Sequence, residues 1–123
     1  MKTFKDDIPI YLQLRQQIEE QILARALIEE DRLKSLREMS AEYRINPITA
    51  GNAVNALVDE GILYHRRGIG IFVSPGAREM IIAKRRNSFI KDSLEPSIRL
   101  AKSYEIPRDD LINKVKSVYG EEQ

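Results

Sequence analysis

The sequence lacks cysteine and tryptophan, and it holds one histidine. Without cysteine there is no disulfide framework, no thiolate metal site and no thiol nucleophile. A lone His65 without neighbouring ligand-type residues supports neither a metal centre nor a general base, so no metal and no cofactor are expected. No apolar run approaches the roughly 18–20 residues that span a bilayer, and the charged start has no signal-peptide core. A cytoplasmic protein without a membrane role is expected. No paired carboxylates, nucleophile–base pair or metal cluster points to an enzyme.

A surplus of either charge is missing too. Twenty Lys and Arg face nineteen Asp and Glu, a net of +1. Divided after Ser74, the first part carries a formal −1 and the second +2. Domains that bind nucleic acid are often strongly basic, so any such role here depends on where the charges cluster. What is present in quantity, 42% hydrophobic and 32% charged residues over 123 positions, fits one small folded domain with an appendage.

Asp7-Ile8-Pro9 has the chemistry of a helix start, with Asp as cap and Pro in the first turn. Ile10, Leu14, Ile18 and Ile22 recur every four residues, widened by Tyr11 and Leu23. Gln13, Arg15, Gln16, Glu19 and Glu20 take the other side, giving an amphipathic helix to about Ala26. An acidic connector, Glu29-Glu30-Asp31, follows. Ser35-Leu36-Arg37-Glu38 has the form of a capping box and opens a short second helix through Tyr43. After a tight turn at Arg44-Ile45, Asn46 caps a third helix with Pro47 in its first position. That helix is expected to bury Ala50, Ala53, Val54, Leu57 and Val58 and to stop at Glu60-Gly61.

Ile62–His65 and Ile71–Val73 are apolar runs on either side of Arg66-Arg67-Gly68-Ile69-Gly70, the pattern of a β-hairpin. Ser74-Pro75-Gly76 punctuates its end. The remainder reads as helix, kinked or ended between Leu94 and Pro96, then a short last helix after Pro107 closed by Gly120. These helices are too small to bury a core alone. The expectation is a mainly α protein with a small β-hairpin: a winged helix-turn-helix domain over 1–74, then a helical dimerisation part over 75–123.

In a helix-turn-helix the second helix of the motif enters the major groove. Here that helix turns Ile48, Asn52, Asn55 and Asp59 outward, with Thr49 and Gly51 near its tip. It carries no Lys or Arg, since none occurs between Arg44 and Arg66. Bidentate arginine–guanine contacts therefore cannot come from it, whereas Asn46, Thr49, Asn52 and Asn55 can hydrogen-bond bases or phosphates. Arg32, Lys34, Arg37 and Arg44 before the helix, and Arg66 and Arg67 at the hairpin tip, would fall on one side of such a fold. Gly51 is unusual, because glycine inside a helix costs about 1 kcal/mol relative to alanine.

Five segments in order carry a resemblance: Pro9-Ile10-Tyr11-Leu12-Gln13; Asp31-Arg32-Leu33 with Ser35 and Arg37-Glu38; Asn46-Pro47 with Thr49; Leu57 with Glu60-Gly61-Ile62; and Arg67-Gly68, Gly70 and Phe72-Val73. The chain resembles GntR-family transcriptional regulators, most closely the YtrA-like branch with its short helical C-terminal part. The resemblance implies that Arg37, Thr49, Arg67 and Gly68 belong to the DNA contact surface, supported by Ser35 and by Asn46 to Gly51. Arg44, Asn52 and Arg66 complete the expected interface with Pro47 and Ile48. The chain departs from the family pattern at Glu30, usually Gly, at Lys34, usually Pro, and at Ile71, usually Thr. Gly51 and Asn52 replace larger side chains.

A sequence-specific regulator is expected, a repressor that binds a palindromic double-stranded operator as a homodimer paired through the C-terminal helices. Any small-molecule effector would sit between domains or at the dimer interface. The alternative is a protein-interaction module whose DNA-binding face has degraded.

Overall fold

A computed structural model of the chain describes residues 8–120; the cap expected at Asp7 lies outside them. The order is α1 (Ile10–Leu23), α2 (Leu36–Tyr43), α3 (Pro47–Asp59), β1 (Leu63–Arg66), β2 (Gly70–Val73) and α4 (Ala77–Phe89). A π-helical turn (Ile90–Leu94), α5 (Glu95–Ser103) and α6 (Arg108–Tyr119) complete it. By contact density the chain divides into two compact units, Met1–Ala83 and Lys84–Gln123.

In the first unit α1 and α2 both pack on α3, and α3 packs on β1. The core joins Leu14, Ile18 and Ile22 of α1, Met39 and Tyr43 of α2, and Ala50, Ala53, Val54 and Leu57 of α3. Ile62, Leu63, Ile71 and Val73 close it from the hairpin side. Two more members, Ala77 and Ile81, come from α4. The first unit thus extends past Ser74, where the turn signal had suggested a boundary, because the first turns of α4 supply part of its core.

Leu14, Ile18 and Ile22 of α1 are buried as expected, and the stripe differs at its edges. Ile10 and Tyr11 are exposed, and α1 ends at Leu23 rather than near Ala26. Gln13 and Glu19, assigned to the polar side, are buried. Both keep polar partners, as burial requires: Gln13 Nε2 donates to the Ile8 carbonyl at 2.7 Å, and Arg15 stands 3.8 Å from the Glu19 carboxylate. Arg15 also pairs with Glu60, tying α1 to the end of α3.

The hairpin is antiparallel, with Leu63 opposite Val73 and Arg66 opposite Gly70. The strands reach one residue closer to the tip than expected, leaving the turn Arg67-Gly68-Ile69. The acidic connector is not a free loop. Glu30 N–H donates to the Val73 carbonyl, Val73 N–H to the Asp31 carbonyl, and Leu33 N–H to the Ile71 carbonyl, all at 2.8–2.9 Å. Residues 30–33 therefore lie along β2 without forming a strand, joined to it by an isolated antiparallel bridge between Arg32 and Phe72.

In the second unit the chain passes Pro96 without breaking. Proline has no N–H and its ring crowds the carbonyl four residues earlier, here Asp92. The π turn spans that position, and Glu95 N–H reaches back five residues to the Ile90 carbonyl. Among the described residues of this unit only Ala101 is buried, while eleven large apolar side chains, from Phe89 to Tyr119, are exposed. It has no core of its own.

Candidate nucleic-acid interface

The capping box forms as the sequence dictates. The Ser35 hydroxyl accepts from Glu38 N–H at 3.1 Å, and the Glu38 carboxylate accepts from Ser35 N–H at 2.8 Å. The Ser35 N–H, and then its hydroxyl, hold the Glu38 carboxyl below the usual carboxylate range. This box fixes the first turn of α2 and so places exposed Arg37, its second residue.

Arg44 closes α2 with φ 56° and ψ 50°, the left-handed conformation that a non-glycine residue adopts at a cost of roughly 1–2 kcal/mol. The chain then turns into α3. The Asn46 side-chain oxygen accepts from Ile48 N–H at 2.7 Å, with Pro47 in the first helical turn. Asn46 and Pro47 are thus the structural start of the helix, and they fix the backbone of the residues that follow.

On α3 the expected partition holds except at Val58, expected in the core but only half-buried at its edge. Ala50, Ala53, Val54 and Leu57 are buried; Ile48, Asn52, Asn55 and Asp59 are exposed; Thr49, Gly51 and Val58 are intermediate. A Cβ added at Gly51 would meet only Leu36 Cδ1, at an ordinary 3.7 Å. Packing within the chain therefore does not require glycine there.

Around the hairpin the structure adds partners that sequence reading missed. Strand register puts Tyr64 opposite Phe72 and Arg66 opposite Gly70, so these four side-chain positions share a face. The Arg66 guanidinium lies 5.0 Å from the centre of the Phe72 ring, and the Tyr64 ring lies 5.9 Å from it. Such cation–ring contacts contribute about 0.5–1 kcal/mol at exposed sites. The Tyr64 hydroxyl donates to the Glu30 carboxylate, and this hydrogen bond raises the Tyr64 pKa. Glu30 itself has φ 71°, so a strained backbone is retained where its side chain clasps β1. At Gly70 a Cβ would come within 2.8 Å of Arg32 Nε, so a larger residue there would push the Arg32 side chain aside. The alternation Tyr64-x-Arg66 and Gly70-x-Phe72 was the available signal.

The tip holds Arg67 and Gly68, both exposed, with Gly68 at φ 74° as the turn demands. The six cations named above are not equivalent. Lys34 Nζ sits 2.7 Å from the Glu42 carboxylate, and Arg66 is drawn over Phe72. Among the described residues, no cluster of three or more His, Asp or Glu could hold a metal ion, and no helix is long and apolar enough to cross a membrane.

Residues 10–73 match the family described as bacterial regulatory proteins, gntR family. The chain is 27% identical over 114 residues to the helix-turn-helix-type transcriptional regulator YhcF of Bacillus subtilis (strain 168), covering 93% of each chain. It is 32% identical over 94 residues to the transcriptional repressor YtrA of the same organism, covering 76% of this chain and 72% of that one. Among solved structures it is similar to a GntR family transcriptional regulator from Listeria monocytogenes, with a TM-score of 0.70 and 28% identity over 93% of this chain and 98% of the other. Capped helices, paired wing and sequence kinship converge: the chain belongs to the GntR family, in its YtrA-like branch, and is a DNA-binding transcription regulator.

Proposed function

We propose that the chain represses transcription as a homodimer on a palindromic operator. The first unit reads DNA, with α3 in the major groove, and the second unit pairs with its copy. One observation carries the dimer: a unit with a single buried residue and eleven exposed large apolar side chains among its described residues cannot fold stably without a cover. Two-fold pairing would present two half-sites about 34–36 Å apart, one DNA turn. The relative YtrA of Bacillus subtilis is a transcriptional repressor, which supports the sign of regulation.

In this reading Ser35, Arg37, Arg44, Asn46, Thr49 and Asn52 meet the duplex together with Pro47, Ile48 and Gly51. Arg66, Arg67 and Gly68 meet it from the wing. Sequence-independent phosphate contacts fall to the arginines flanking α3, because α3 itself has none. Fluorescence anisotropy with duplexes from the region upstream of the gene tests this. Arg67→Ala is expected to weaken binding to all sequences alike and to lower the log–log salt slope by about one. An unchanged slope removes Arg67 from the interface. No binding at low salt by a folded protein would favour the protein-interaction reading, which the absence of basic residues on α3 motivates.

Arg44 offers a second measurement. Arg44→Gly relieves the left-handed backbone and is expected to raise stability by about 1 kcal/mol. It also removes a cation beside α3, so DNA affinity should fall. Thermal denaturation and anisotropy on the same variant read both. A gain in stability with no loss of affinity would exclude Arg44 from contact.

A further inference from the structure

Ile48 is an apolar side chain with no structural task. It is 73% exposed, and the core side of α3 is already filled by Ala50, Ala53, Val54 and Leu57. Its backbone is nonetheless held firmly, since its N–H is the group the Asn46 cap engages. Asn52 and Asn55 follow at four and seven residues, a spacing that places them on the same stripe of the helix. Both are exposed, and the stripe carries no positive charge.

A major groove offers few partners for such a surface. The thymine C5-methyl is its apolar group, adenine presents the donor and acceptor that a carboxamide matches bidentately, and guanine is most often read by Arg or Lys. Glycine at position 51, with only Leu36 Cδ1 beside the place a Cβ would take, lets the bases come close to this stripe.

We infer that Ile48 is a specificity-determining residue that packs against the C5-methyl of a thymine in each half-site. The inference rests on the DNA-binding reading given above. It assigns one A·T pair of each half-site to α3, and it makes recognition by α3 depend on a methyl group rather than on charge.

Replacing thymine by deoxyuridine removes that methyl and leaves base pairing intact. Duplexes bound by the full chain are first selected from random sequence, and each thymine of the selected site is then replaced in turn. Affinities are measured for the wild type and for Ile48→Ala. One thymine per half-site is expected to show a loss of about 3- to 5-fold, the worth of burying one methyl-sized group. Ile48→Ala should bind the thymine duplex more weakly and be indifferent to that replacement, while its melting temperature stays unchanged.

Tight wild-type binding that no deoxyuridine weakens would overturn the inference and leave DNA binding standing. So would a deoxyuridine penalty of full size in Ile48→Ala. Failure to bind any duplex at low salt would instead overturn the DNA reading itself.

Discussion

On the pairing proposed above, Ile98→Asp is expected to leave the protein monomeric and to lower operator affinity by about 10²- to 10⁴-fold. Ile98 lies on α5, one helical turn after Leu94, and both are exposed in the single chain. A carboxylate at position 98 does not disturb the protomer, whose buried residues lie elsewhere. Between two copies it would have to lose its hydration in an apolar contact, which is costly for an unpaired charge. Two linked recognition units gain affinity because the second binding step is intramolecular, and that gain, about 10²- to 10⁴-fold, is lost with the link. Sedimentation velocity gives the mass, and anisotropy with full and half operators gives the affinities. The variant should bind both duplexes alike. A variant that stays dimeric with undiminished affinity would move the pairing surface away from α5.

Ile81→Ala is expected to destabilise the first unit by about 2–5 kcal/mol, the usual range for emptying a buried isoleucine position. Ile81 is 0% exposed and sits in the same cluster as Leu57 and Val73. For a unit of this size the loss corresponds to a fall in melting temperature of roughly 10 °C or more. Met80, its exposed neighbour, serves as the control, because substitutions at the surface change stability by about 0.5 kcal/mol or less. Circular dichroism melts of both full-length variants decide the matter. Equal, small effects at positions 80 and 81 would mean that α4 is not part of the first unit's core.

What the sequence made legible was local. The Ser35–Glu38 box and the Asn46–Pro47 start are written within four residues, and they form as written because each satisfies backbone groups of its own turn. The outward set on α3 follows from periodicity alone. Burial of Gln13 and Glu19 did not, because a polar residue can be buried only when a partner waits, and Glu19 has Arg15 beside it. The pairing of residues 30–33 with β2 also escaped. It is made by backbone groups some forty residues apart, while the acidic side chains suggest only solvent. Ser74-Pro75-Gly76 marks a change of direction, and a change of direction need not end a core. Around the hairpin the side-chain contacts were not readable: neither Tyr64 nor Glu30 announces that it holds the other.

The wide turn over Ile90–Leu94 bears on how this part of the chain tolerates change in length. Each residue advances an α-helix by about 100°, so one added or lost codon turns every downstream side chain by that angle. A turn closed over five residues rather than four stores one residue of slack. Loss of a residue within that turn can revert it to ordinary α-helix and keep Ile98 and Leu100 in step with Phe89. The same loss within α6 would swing Val115 and Val118 away from Ile112. Insertions and deletions in related chains should therefore collect at the turn before Pro96.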